Sequence, residues 1–127
     1  MKDAQIDTIA VAIGTAYGFY QFEPEINIDR LREIAAVIDE PIVLHGGFGT
    51  PREQVIEAIN NGIAKVNICT ELIVAFGKAH AATQGEPGFR YNVPSMFGQG
   101  KTAAYALTYD KMKLFLTGKP PCFAPEI

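Results

Sequence analysis

Val43-Leu44-His45-Gly46-Gly47-Phe48-Gly49-Thr50-Pro51 decides the fold of this chain. An apolar run carries a histidine into a glycine-rich turn. Thr50, Pro51 and Glu53 then form a capping box with proline at the first helical position, a strong helix start. Pro41 to His45 is therefore a strand, and the segment after Thr50 is a helix. The glycines suit a tight βα turn with positive φ, and they also let backbone N–H groups approach an anion without Cβ interference.

The same alternation extends in both directions. Upstream, Asp7-Thr8-Ile9-Ala10-Val11-Ala12-Ile13-Gly14 is an apolar, β-branched run that reads as a strand buried on both faces. A loop follows through Tyr17, Gly18 and Pro24. Asn27 then caps a helix whose Ile28, Leu31, Ile34, Ala35 and Ile38 recur at helical spacing. Downstream, Val55, Ile56 and Ile59 face inward, and Gly62 suits a left-handed helix end. Ile63-Ala64-Lys65-Val66-Asn67-Ile68-Cys69 is the third strand, with Cys69 read as a small buried residue at its end. Thr70 caps a third helix, with Leu72, Ala75, Phe76 and Ala79 on one face. Strand–helix alternation of this kind favours parallel strands with right-handed crossovers, in a (β/α) barrel or a doubly wound sheet.

The character changes near Thr83. Residues 84–100 are rich in glycine and proline and read as a loop. Thr102 to Leu116 is expected to form a last helix, with Tyr105, Met112 and Phe115 as its apolar side. Gly118-Lys119-Pro120-Pro121 reads as a frayed end. Residues 1–83 and 84–127 are thus expected as two regions. Gly98-Gln99-Gly100-Lys101-Thr102 has a superficial P-loop look, but no strand precedes it and its first glycine would fall on Ser95, so it is set aside.

Composition bounds the function. The 127 residues are 48% hydrophobic, enough for one core. A net charge of −3 without a Lys/Arg cluster argues against nucleic-acid binding. No apolar run reaches the ~18–20 residues of a membrane span. Met1-Lys2-Asp3-Ala4-Gln5 opens no signal-peptide pattern, so a cytoplasmic location is expected. Two cysteines, Cys69 and Cys122, lie far apart and support neither a disulfide framework nor a zinc finger.

His45 has two readings of equal weight: a metal ligand at the mouth of a strand, or a half-buried histidine satisfied by a backbone carbonyl. Gly46, Gly47 and Gly49 form a candidate phosphate cradle. Asn67 and Thr70 sit at the end of the third strand. Thr70 is explained by capping alone, whereas Asn67, late in a mostly apolar strand, is harder to explain without a ligand. His80, well into the third helix, reads as a solvated or helix-end residue.

Three segments carry a family resemblance. They are Val11 to Gly18, Pro41 to Pro51, and Gly62 to Leu72. Together they resemble the class II, zinc-dependent fructose-bisphosphate and tagatose-bisphosphate aldolases, over about Asp7 to Ala79. Asp110 to Phe115 is loosely similar to that family's final helix. The resemblance implies an α/β chain forming part of a (β/α)₈ TIM barrel, its last three βα units, with a C-terminal helical tail. Whole barrels of this type run to about 250 residues, so the chain corresponds to about half of one. It further implies a lyase of carbohydrate metabolism and glycolysis, cleaving a phosphorylated ketose to dihydroxyacetone phosphate and an aldehyde. Zn²⁺ would polarise the ketose carbonyl, and a monovalent cation would accompany it. His45 matches a metal-binding histidine. Gly18, Gly46 and Gly47 match backbone positions around the substrate phosphate and the monovalent cation, and Asn67 and Thr70 match the substrate-binding segment after the last strand. Tyr17 stands where the family carries a second zinc histidine, Phe48 where it carries a phosphate-contacting serine, and Cys69 where aspartate is common.

Three expectations follow. The chain is an incomplete lyase needing a complementing barrel half, a non-catalytic phosphosugar-binding module, or a remnant that stabilises itself as a homo-oligomer through its open sheet edges.

Overall fold

The computed structural model describes residues 5–89 and 92–116. Residues 1–4, the end expected to fray at Gly118-Lys119-Pro120-Pro121, and Cys122 lie outside the described residues. The chain divides into two compact units, Met1–Glu71 and Leu72–Ile127.

In the first unit, strands β1 (Ile9–Ala10), β2 (Ile42–Leu44) and β3 (Ile63–Val66) form a three-stranded parallel sheet in the order β1-β2-β3. Helices α1 (Ile28–Ala35) and α2 (Arg52–Asn60) are the crossovers. The α/β fold with parallel strands is the one the alternation predicts. β2 is central and buried along its whole length. Ile42 faces Ile63, then a one-residue shift brings Val43 opposite Lys65 and Leu44 opposite Val66. Asn67 N–H donates to Leu44 O at 3.0 Å, which carries the pairing one residue past β3.

The core lies between sheet and helices. Leu31 is fully buried, and Ile13, Ile26, Leu44, Ala58 and Ile63 surround it. Burying a leucine of this kind contributes about 1.5–3 kcal/mol. Asn27 caps α1 as expected, its side chain accepting from Arg30 N–H. Gln54 on α2 bridges to the chain before α1, its side-chain oxygen accepting from Ile26 N–H at 2.8 Å.

Three expectations in this unit are corrected. β1 is two residues long and half-exposed, not a strand buried on both faces. Beyond Ala10 the backbone leaves the sheet, because Ile13 O accepts from Asn27 N–H instead of from β2. The capping box at Thr50 does not form. Pro51 precedes the helix without any side-chain cap, and α2 starts at Arg52. Thr50 is instead drawn inward by a turn in which its N–H donates to Gly47 O at 3.3 Å, and its hydroxyl is buried without a partner among the described residues. Cys69 is exposed and lies past the end of β3, not buried at a strand end.

Helix α3 (Thr70–Thr83) begins at Thr70 itself. In the second unit it is followed by α4 (Val93–Leu116). The expected loop therefore ends early: Asn92 accepts from Ser95 N–H at 3.0 Å and starts the helix, with Pro94 tolerated in its first turn. Gly98 to Thr102 is helical, which removes the P-loop look altogether. The buried stripe of α4 also differs from expectation. Tyr105 and Met112 are exposed, whereas Gly100 and Leu114 are buried. Gly100 leaves room for the Phe76 ring, which a Cβ there would meet at 2.8 Å. His80 is half-buried and stacked on Phe97 at 5.5 Å between centroids, so it is a packed helix-end residue and not a solvated one. Among the described residues no helix is long and apolar enough to cross a membrane.

Candidate functional site

The strand tips of β2 and β3 open onto one mouth. Parallel strands place their C-terminal ends on the same side, so the residue after β2, His45, and the residue after β3, Asn67, become neighbours. Asn67 Nδ2 lies 2.8 Å from His45 Nε2. The Tyr17 hydroxyl, from the loop after β1, hydrogen-bonds His45 Nδ1. Two strand tips and the loop after β1 therefore meet at one imidazole. The carbonyl of His45 is held separately, accepting from Thr15 Oγ1 at 2.6 Å.

Gly46 explains how the loop after β1 comes so close. Its φ is +67°, and a Cβ there would stand 2.2 Å from Ala16 O. Any side chain would push the two loops apart. Tyr20 locks them together. Its hydroxyl accepts from Ala16 N–H and lies within donor distance of the carbonyls of Ala16 (2.7 Å) and Gly46 (2.6 Å). Gly18 also has positive φ, +91°, but a Cβ there would meet nothing. Its role is conformational.

A cleft at this mouth is lined by Gly46, Gly47 and Phe48 from the turn after β2, by Asn67 to Glu71 after β3, and by Tyr17. Five of the six residues expected to bind substrate, Gly46, Gly47, Phe48, Asn67 and Thr70, share this lining; Gly18 does not. The Phe48 ring packs edge-on against Phe19 at 5.2 Å between centroids. The lining holds one carboxylate, Glu71, and no lysine or arginine. An anion bound here would rely on backbone N–H groups and the hydroxyls of Thr70 and Tyr17.

Thr15 and Tyr20 hold the two loops of the mouth together, and the sequence reading missed both. Both act through side-chain hydrogen bonds to the backbone of a segment about thirty residues away. The one local signal was a tyrosine following Gly18 in a loop with no strand or helix to occupy it.

The donor set does not fit a catalytic zinc. Such a site needs about three protein ligands with an open fourth position. Here one imidazole is flanked by a phenol and an amide. Among the described residues no three His, Cys, Asp or Glu side chains cluster so as to hold a metal ion.

Comparison with known proteins adds to this geometry. The sequence model described as "Fructose-bisphosphate aldolase class-II" matches residues 1–119. A sulfofructosephosphate aldolase from Alkalicoccus urumqiensis is 38% identical over 112 residues, covering 88% of this chain and 39% of that protein. The crystal structure of the YdjI aldolase from Escherichia coli K12 superposes with a TM-score of 0.76 at 30% identity, over 93% of this chain and 42% of that one. The chain thus spans about two fifths of the length of these relatives.

Proposed function

The chain belongs to the class II fructose-bisphosphate aldolase family, and on that premise we propose that it forms the ketose-holding side of an aldehyde-lyase barrel. The three βα units are the last three of a (β/α)₈ barrel, whose active sites gather at the C-terminal ends of the strands. The observation that carries this reading is the 2.8 Å contact between Asn67 Nδ2 and His45 Nε2. It joins two strand tips at one mouth, and the glycine turn and the start of α3 line the same cleft.

The substrate class is a phosphorylated ketose, cleaved to dihydroxyacetone phosphate and an aldehyde. Gly46, Gly47 and Thr70 would receive the phosphate, Asn67 and Phe48 would border the carbon chain, and Gly18 would let the loop after β1 take its left-handed turn beside the phosphate. In the family, zinc supplies Lewis-acid polarisation of the ketose carbonyl. His45 alone stands at a metal position here, so the chain by itself is not expected to cleave. The outer edges of β1 and β3 are open among the described residues, and we assign them to further barrel strands or a second copy of the chain. A cytoplasmic site of action goes with this reading.

A non-catalytic phosphosugar-binding role is the second reading, favoured by Tyr17 and Asn67 engaging both nitrogens of His45. One experiment addresses both. Dihydroxyacetone phosphate is titrated into ¹⁵N-labelled chain, and a coupled assay follows release of that product from a ketose bisphosphate. The expected result is amide shifts at Gly46, Gly47, Asn67 and Thr70 without turnover. Unmoved amides at those positions would remove the ketose assignment. Turnover by the chain alone would remove the claim that it is incomplete.

A further inference from the structure

Each ring nitrogen of His45 already has a partner. Asn67 Nδ2 is 2.8 Å from Nε2, and the Tyr17 hydroxyl is on Nδ1. We propose that Tyr17, His45 and Asn67 form a metal-independent hydrogen-bonding site that presents the Tyr17 O–H to a carbonyl or hydroxyl oxygen of the ligand. That the ligand is a phosphorylated ketose rests on the reading above.

The donor and acceptor roles follow from the atoms in contact. With the Asn67 amide nitrogen facing the ring, nearer Nε2 (2.8 Å) than Nδ1 (3.4 Å), we assign Nε2 as the acceptor, without a proton. The ring proton is then on Nδ1 and is donated to the Tyr17 oxygen. That oxygen is used as an acceptor, so the phenolic proton is turned away from the ring. Tyr17 is 69% exposed and lines the cleft, so a hydroxyl turned away from the ring is open to a ligand at the mouth. Its proton is the polar hydrogen of the trio best placed to meet a ligand oxygen.

Zinc is disfavoured by the same contacts. Coordination through Nε2 requires breaking the Asn67 bond. Coordination through Nδ1 requires losing the proton held against Tyr17 and displacing the phenol oxygen. Either route gains one protein ligand where about three are needed.

The test uses the full chain, ¹⁵N-labelled, with long-range ¹H–¹⁵N correlations reading the two nitrogens of His45. The expected pattern is a proton on Nδ1, none on Nε2, and no change on adding equimolar zinc. A proton on Nε2 would reverse Asn67 and turn the Tyr17 proton inward, overturning the proposal. So would zinc-induced shifts at His45, with zinc binding that disappears in His45→Ala. A second arm titrates dihydroxyacetone phosphate in the presence of chelator. Tyr17→Phe is expected to weaken binding about threefold to tenfold, the loss of one hydrogen bond. Equal binding by Tyr17→Phe overturns the proposal. Binding that requires zinc overturns it while leaving the ketose-holding mouth intact. Absence of binding with and without zinc overturns the ligand assignment together with the reading beneath it, and the tautomer then decides the zinc claim separately.

Discussion

Replacing Gly46 by alanine is expected to cost about 3–4 kcal/mol, and the structure shows where the cost arises. The residue sits at φ +67°, a conformation that disfavours an L side chain by about 1–2 kcal/mol. An alanine Cβ would also lie 2.2 Å from Ala16 O, 2.4 Å from Ala16 C and 2.8 Å from Ala16 N. Those are backbone atoms, so no rotamer change relieves the clash and the loop after β1 must move. That movement sacrifices the Tyr20 bond to Gly46 O and the Thr15 bond to His45 O, each worth about 1 kcal/mol net. Gly18→Ala is the control. Its φ is +91° but its surroundings are open, so only the conformational part, about 1–2 kcal/mol, applies. At roughly 0.1 kcal/mol per residue, a unit the length of Met1–Glu71 holds about 7 kcal/mol, so both variants should still fold. Urea unfolding followed by circular dichroism measures both. The reasoning is refuted if Gly46→Ala is no less stable than Gly18→Ala.

Other perturbations follow from the packing. Leu31→Ala, at a position with 0% exposure, is expected to lose about 2–5 kcal/mol by the same assay, and a loss under about 1 kcal/mol would mean that the core collapses onto the gap. Thr50→Val removes a buried hydroxyl that has no partner among the described residues, so stability should hold or rise by up to about 1 kcal/mol; a clear drop in melting temperature would reveal a hydrogen bond there. Asn27→Ala deletes the side chain that accepts from Arg30 N–H and should cost about 1 kcal/mol, checked by the shift in unfolding midpoint.

Much of the first unit was legible because its signals are local. The apolar run before Gly46, the cap at Asn27 and the left-handed Gly62 each act within a few residues, and each reappears in the structure. Where the reading erred, a distant contact outweighed a local preference. Thr50 has the chemistry of a cap, yet the turn through Gly47 carries it into the interior. Val11 to Ile13 has strand composition, yet Ile13 pairs with Asn27 instead of the sheet. In α4 the large apolar residues Tyr105 and Met112 drew attention, whereas the buried positions include Gly100, which lets the helix approach Phe76.

Taken alone, the order of residues determined the alternation of strands and helices, the parallel sheet that such crossovers favour, and hence the side of the sheet to which His45 and Asn67 belong. Periodicity and capping are properties of neighbours in the chain, and they survive without knowledge of the rest. Only the tertiary structure decided what His45 touches. Tyr17 and Asn67 lie 28 and 22 residues from it, and their arrival depends on how three loops pack above the strand ends. Hydrogen bonding at that range is set by the close approach that Gly46 permits and Tyr20 holds, and no local pattern encodes it.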